Sequence, residues 1–270
     1  MNKNIFKKTG IMLFLCILAY LPTLQWMWER WFERDSYYSH GILVPLISAL
    51  LIWQKRHALK NIKIETSPLG MRLFTAGIIL HVLSVVFRVY FTSGFSMILV
   101  IAGFILSVYG RKFFKEISFP VIFLIFMVPL PLVTVINISF QMKLLSAMMA
   151  SAVLNFINIP AIQQGSYIRM EHASIIVEDV CSGLRSLIAL MALGALFAYW
   201  MKSRMVNRVF LFFTSIPIAL VTNMVRIICL AIISEFFGPQ YVTGSVENFF
   251  GLSVFVLAFL LLSGVEKLLK

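Results

Sequence analysis

Charged residues are scarce in this chain of 270 amino acids, at 13% against about 25% in soluble domains. Cysteine is also rare: three residues, an odd number, cannot supply the disulfide framework of a small secreted scaffold. Hydrophobic residues fill 60% of the chain, and the mean hydropathy is +0.94. A soluble globule of this length could not bury so much apolar surface. The composition therefore excludes soluble, disordered and disulfide-scaffold classes and indicates a polytopic helical membrane protein.

The apolar runs have the length of transmembrane helices, about 17–25 residues. We predict a retained first helix over residues 11–28, because no small-x-small cleavage site follows it and a cluster of tryptophans suits a membrane interface. Further spans are predicted at 39–54, 72–88, 95–110, 117–137, 183–201, 209–234 and 250–266. The predicted fold class is all-α: a transmembrane bundle of about eight spans that forms a single domain over residues 1–270.

The distribution of Lys and Arg predicts the orientation. Sixteen of the 23 basic residues lie on one side if the eight spans are correct and 138–158 does not cross. The positive-inside rule then makes both termini cytoplasmic. We interpret 138–158 as a helix at the outer interface or re-entering from it, after a break at Pro129 and Pro131. The net charge of +12 thus reports topology and requires no nucleic-acid partner.

This topology makes the loop 159–182 extracytoplasmic. Its segment 166–178 has β-branched residues and partial alternation, which predicts a small hairpin on the outer face. Cys181 follows this segment at the start of the helix 183–201, where the helix dipole favours a thiolate. Arg185 lies one turn later and has the same effect, whereas the two carboxylates before the cysteine oppose it. Cys181 is therefore a candidate nucleophile. The alternative is a partly exposed cysteine without a function.

Arg226 stands among apolar residues in the predicted span 209–234. An arginine near the centre of a membrane helix costs about 2.5–3.5 kcal/mol on insertion scales, so such residues are functional candidates. Asn223 lies three residues earlier, on the same helix face. The alternative is that Arg226 holds the bundle together through a carboxylate or helix-end carbonyls. Together the two residues predict a polar site inside the membrane.

Three more polar residues are expected on the outer face. Glu247 and Asn248 stand at the start of the last helix, where they could serve the site or simply cap the helix. His40 opens the second span, and a lone interfacial histidine is more often structural. His81, midway along a span, is expected to be hydrogen-bonded within the bundle. The cysteines and histidines lack zinc spacing, so we predict no metal and no other cofactor.

Four segments together resemble the exosortase/archaeosortase family, which are multi-spanning membrane cysteine transpeptidases. YSHGILVPLISALLIW is similar to the family's early signature, and FPVIFLIFMVPLP to its central one. VEDVCSGLRSLIALMALGALFAY resembles its cysteine motif, and TNMVRI its arginine motif. The resemblance covers nearly the whole chain, and its cysteine and arginine motifs are fairly specific.

The resemblance implies a mechanism and a substrate class. Cys181 would be the nucleophile that forms an acyl-thioester, and Arg226 would donate a proton or stabilise the developing charge. The substrates would be secreted proteins tethered by a C-terminal sorting signal (PEP-CTERM-like): a short motif, a transmembrane helix and a basic tail. The acidic motif of the sorting signal would meet Arg185 or Arg226. Asn223, Asn248 and His40 would be further substrate-binding residues. The family is often associated with exopolysaccharide production in Gram-negative bacteria.

One motif departs from the family pattern. Most exosortases carry a histidine four residues before a glycine, or an arginine in archaeal relatives, whereas counting back from Gly251 gives Glu247. Either this is a variant subfamily with Glu247 in the site, or the third role lies elsewhere, or activity is reduced. Two other functions stay open: a catalytically silent scaffold for exopolysaccharide assembly, and a transporter with a polar path through Asn223, Arg226 and Glu247.

Overall fold

The computed structural model describes residues 3–34, 36–177, 183–242 and 245–270, with only the backbone for 3–13, 245, 247 and 248. The helices of this part are α1 Lys3–Phe32, α2 Leu43–Gln54, α3 Arg56–Lys60, α4 Pro68–Val86, α5 Tyr90–Val108, α6 Gly110–Phe123, α7 Leu132–Phe156, α8 Leu184–Trp200, α9 Met205–Phe237 and α10 Ser245–Leu268. The strands are β1 Ile162–Gln164, β2 Tyr167–Arg169 and β3 Ser174–Ile176. The chain divides into two compact units, Met1–Leu130 and Pro131–Lys270.

The helical content confirms the predicted all-α transmembrane class. In the described part of the chain, five helices are long and apolar enough to cross a membrane: Pro68–Val86, Tyr90–Val108, Leu132–Phe156, Met205–Phe237 and Phe249–Leu268. Ser39–Gln54 and Leu184–Trp200 are shorter apolar helices. Each predicted span except 117–137 corresponds to one helix, with ends that agree within five residues, except that α1 begins at Lys3, eight residues before its predicted start.

The predicted break at Pro129 and Pro131 is confirmed, but the predicted end of the span at residue 137 is wrong. α6 passes into a 3₁₀ turn at Leu124–Met127, and the break falls at residues 128–131, before α7 begins at Leu132. Pro131 directly precedes α7 because its fixed φ of −55° suits a helix start and it lacks the N–H that a helix interior needs. The residues 132–156 therefore form one 25-residue helix with the length of a span. Its length gives no reason to separate 138–158 as an interfacial helix.

The first unit is held together by close helix packing and by polar side chains that satisfy one another. Gly70 on α4 meets the backbone of Ser107 on α5, an approach that no larger residue allows. The hydroxyls of Tyr20 and Ser96 lie 2.8 Å apart, so α1 is tied to α5. His81 of α4 binds the Ser93 hydroxyl at 2.8 Å and the Ala19 carbonyl at 3.1 Å. The prediction for His81 is confirmed.

The same unit joins the early and the central sequence motifs. The indole Nε1 of Trp31 donates to the carbonyl of Met127 at 2.9 Å. The amide N–H of Leu130 donates to the hydroxyl of Tyr38 at 3.2 Å. These bonds hold the turn before α2 against the proline-rich segment that follows α6. His40 lies in that turn, with its ring stacked 6.0 Å from Tyr38.

The second unit packs the small sheet onto two of its helices. β1, β2 and β3 form an antiparallel sheet in that order. The β1–β2 turn is Gly165–Ser166, where Gly165 has a φ of +65°. The buried face of the sheet contributes Ile168, Met170 and Val177 to a core shared with α7 and α9. The predicted hairpin over 166–178 is confirmed, and β1 adds a strand that the sequence analysis missed.

Candidate functional site

The site is built where α8 begins against α9. Gly183 precedes the first residue of α8 with a φ of +76°, a conformation that only glycine adopts without strain. A Cβ on Gly183 would lie 2.6 Å from Cγ of Asn223. The backbone that leads out of the cysteine motif therefore lies directly against the polar face of α9. Cys181 itself lies outside the described residues.

Asn223 and Arg226 are buried on one face of α9, as the sequence predicted. Their exposed fractions are 2% and 9%. The amide Nδ2 of Asn223 donates to the hydroxyl Oγ of Ser146 on α7 at 3.3 Å. Since an unsatisfied amide inside a bundle costs about 1–3 kcal/mol, this bond is part of what fixes α9 against α7. The sequence analysis had assigned no role to Ser146.

The third wall of the site is α10. A Cβ on Gly251 would lie 3.5 Å from Nη2 of Arg226 and 3.6 Å from its Cζ, which is ordinary contact distance. The absence of a longer side chain at position 251 therefore leaves room for the guanidinium. Position 247 is one helical turn earlier in the same helix. The side chains of Glu247 and Asn248 lie outside the described residues, although their backbone belongs to the first turn of α10.

Arg185 is the second residue of α8 and is half-buried. It thus stands two residues from Gly183, near the start of the helix where the sequence placed it. His40 belongs to the first unit, and both of its ring nitrogens are buried without a hydrogen-bond partner within the described ranges. Of the seven predicted site residues, Asn223 is brought against Gly183 and Arg226 against Gly251, while Arg185 lies two residues after Gly183.

Two polar side chains that the sequence analysis did not single out fasten the sheet to the helices. Asn155, at the end of α7, donates to the carbonyl of Ala161 at 2.8 Å and accepts from its N–H at 2.9 Å. Glu235, near the end of α9, accepts from the N–H groups of His172 and Ala173 in the β2–β3 turn, both at 3.0 Å. The sheet that leads into the cysteine motif is therefore held at both of its ends.

Glu235 also binds the ring of His172. The ring Nδ1 of His172 lies 2.9 Å from Oε1 of Glu235, whose side chain is only 6% exposed. This hydrogen bond, together with the charge of Glu235, raises the pKa of His172 above its ordinary value of 6.5. A carboxylate near a helix C-terminus is unfavourable for the helix dipole. The position of Glu235 is explained by the turn that it binds. The sequence indicates this role only after the hairpin has been assigned.

The arrangement can stabilise negative charge. A permanently protonated guanidinium is buried on the same helix face as the Asn223 amide, and such donors act strongly where water is excluded. No group of three His, Cys, Asp or Glu residues in the described part of the chain could hold a metal ion.

The fold and the site define an α-helical integral membrane protein with a buried arginine inside its bundle. Comparison with known families then places the chain: it matches the family model of the transmembrane exosortase over residues 28–264, and it belongs to that family. The match spans all four motifs described above. No protein with curated annotation and no solved structure matches the chain.

Proposed function

We propose that this protein is a membrane-embedded thiol protease or transpeptidase. It would cleave the C-terminal sorting signal of tethered secreted proteins through an acyl-thioester on Cys181. The observation that carries the proposal is the contact between Gly183 and Asn223. Two peptide units span at most about 7 Å between Cα atoms. This short link supports a place for Cys181 near the face of α9 that holds Asn223 and Arg226.

The first half of the reaction balances within these residues and water. The Sγ of Cys181 attacks the scissile carbonyl carbon, the C–S bond forms, and the carbonyl oxygen becomes an oxyanion. Arg226 donates hydrogen bonds to that oxyanion, since it carries its charge at every physiological pH. The oxyanion collapses and the C–N bond breaks; the thiol has released its proton to water, and the leaving amine takes one proton from water in return. The products are an acyl-thioester on the enzyme and the released tail of the signal.

In the second half, an acceptor nucleophile attacks the thioester carbonyl, the C–S bond breaks, and Cys181 is restored as a thiol. Arg226 serves the second oxyanion as it served the first. We assign Glu247 the third position in the site, where it would orient Arg226 rather than act as the usual histidine base. Asn223, Asn248, Arg185 and His40 are proposed to bind the substrate, with Arg185 facing the acidic motif.

The test compares cysteine variants in the full-length protein. The substrate is a reporter that ends in a Pro-Glu-Pro motif, an apolar helix and an arginine-rich tail. Cys181→Ala and Cys181→Ser should abolish processing, whereas Cys229→Ala, on α9 three residues after Arg226, should process normally. A hydroxylamine-sensitive adduct between Cys181 and the reporter should accumulate when the acceptor is limiting. Normal processing by Cys181→Ala would contradict the proposal. A folded parent protein that forms no adduct would favour the silent scaffold.

The active site is proposed to face the extracytoplasmic side, with both termini in the cytoplasm. The basic residues support this orientation by the positive-inside rule if α7 starts and ends on the outer side of the membrane. Gln164 in β1 is exposed, so Gln164→Cys offers a label for the sheet. In a background without the native cysteines, a membrane-impermeant maleimide should label it on intact cells. Labelling that requires permeabilised cells would reverse the orientation.

A further inference from the structure

A groove of about 430 Å³ opens on the second unit between α7, α8 and α9. Its lining includes Asn137, Gln141 and Leu145 of α7, Leu187 of α8, and Ile216 and Leu220 of α9. Apart from the two carboxamides, the surface is apolar. Three helices that build the candidate site therefore also build this groove.

The groove begins at the site and leads away from it. On α7, Leu145 is next to Ser146, the residue that binds Asn223. On α9, Leu220 stands one turn before Asn223, and on α8, Leu187 stands one turn after Gly183. From Ser146 to Asn137 is nine residues, or about 13 Å along α7 at 1.5 Å per residue. A segment lying in the groove would thus have one end at the polar cluster.

The carboxamides of the groove indicate what occupies it. Asn137 and Gln141 are exposed, four residues apart on one face of α7. Neither side-chain amide forms a hydrogen bond with any residue in the described ranges. Gln141 lies nine residues inside a helix with the length of a span, where acyl chains offer no donor or acceptor. Another transmembrane helix does offer donors and acceptors, because polar and small residues form the contacts between membrane helices.

We infer that this groove binds the transmembrane helix of the tethered substrate. The inference rests on the proposed function and deepens it. The substrate helix would pack along α7 and α9, with Asn137 and Gln141 bonded to its polar or small residues. Its motif would then emerge at Gly183, where α8 begins. The groove would set how far the scissile bond lies from the membrane helix, and so which bond is cut.

Site-specific photo-cross-linking tests the groove directly. A benzophenone amino acid is placed at Leu145 or Leu220 in the Cys181→Ala variant, which binds the reporter but cannot cut it. The matched control is Phe140, which is 51% exposed on α7 and does not line the groove. The groove positions should cross-link the apolar helix of the reporter at least tenfold more than Phe140. Equal labelling, a cross-link to a second copy of the enzyme, or adducts with lipid alone would overturn the inference.

A kinetic test separates the groove from the chemistry. Asn137→Leu and Gln141→Leu should each raise the KM for the tethered reporter roughly threefold, the effect of losing one interhelical hydrogen bond. The value of kcat should stay near that of the parent protein. Leu145→Trp should raise KM further by filling the groove, while Phe140→Trp should not. If the parent protein cuts no reporter, the proposed function fails; if it cuts normally and these variants match it, only the groove inference fails.

Discussion

The two units contain buried polar clusters of opposite character. In the first unit, Tyr20, His81, Ser93 and Ser96 are uncharged and bind one another or the backbone at 2.8–3.1 Å. In the second unit, a permanent cation, Arg226, is packed against the glycine of a neighbouring helix. Both clusters lie within apolar helices. In the sequence, both are recognised as rare polar residues inside predicted membrane spans.

The difference shows that polarity inside a bundle does not by itself indicate a site. The first cluster replaces the hydrogen bonds that lipid cannot supply, so it contributes to helix association. The second cluster has one feature that packing does not require, the full charge of Arg226. Gly251 contacts this guanidinium, and an alanine Cβ there would lie at ordinary contact distance, 3.5 Å from Nη2. The site therefore excludes side chains larger than alanine at position 251.

The difference between the two clusters is tested most directly by replacing one residue in each cluster with glutamine. Arg226→Gln should lower kcat at least about a hundredfold, as for the loss of an oxyanion donor. His81→Gln should lower stability by about 1 kcal/mol for each weakened hydrogen bond and leave kcat unchanged. Reporter processing and thermal unfolding, measured on the same purified proteins, check both. A large kcat loss in His81→Gln with normal folding would make the first cluster functional.

A second pair compares two glycines with positive φ in the second unit. Gly183 and Gly165 have φ values of +76° and +65°, so alanine is strained by about 1–2 kcal/mol at both. Only at Gly183 would the added Cβ meet another residue, Asn223; nothing lies within 4 Å of it at Gly165. We expect Gly183→Ala to lose more than tenfold in processing rate, and Gly165→Ala to lose stability alone. Equal rates in both variants would remove the Asn223 contact from the site.

A third pair tests whether the sheet determines the position of the segment that carries Cys181. Glu235→Gln weakens the bonds to the β2–β3 turn, whereas Glu171→Gln removes a charge from the same turn, where Glu171 is exposed. In a Cys16→Ala, Cys229→Ala background, the alkylation rate of Cys181 should change severalfold in Glu235→Gln and not in Glu171→Gln. Processing should fall in parallel. Unchanged alkylation in Glu235→Gln would show that the sheet does not position Cys181.

The smallest effect is expected from His172, which is 72% exposed. Because its pKa is raised by Glu235, the ring contributes to stability below its ordinary pKa near 6.5, and the contribution disappears as pH rises through the raised value. His172→Ala should therefore lower the unfolding temperature slightly at pH 6 and not at pH 9, since the backbone bonds to Glu235 remain. Thermal unfolding across this range checks the sign. A difference that grows with pH would contradict it.

The sequence predicted the helices well because their apolar runs are long and their ends carry strong signals. The start of α8 was correct to one residue, and the pairing of Asn223 with Arg226 followed from helical spacing. The break at Pro129 and Pro131 was predicted, but the span 117–137 was extended past it because apolarity continues through the break, and periodicity alone does not show where a helix restarts. Ser146, Asn155 and Glu235 could not be identified in advance. Their roles depend on contacts between residues as much as 77 positions apart in the chain.

The fastening of the sheet by Glu235 has a consequence for biogenesis. Ala173 and Glu235 are 62 residues apart. At roughly 5–20 residues per second, a ribosome needs about 3–12 s to pass from one to the other. During that interval the cysteine motif has been synthesised but the helix that receives its sheet has not. The order of synthesis therefore delays completion of the candidate site until α9 has been inserted.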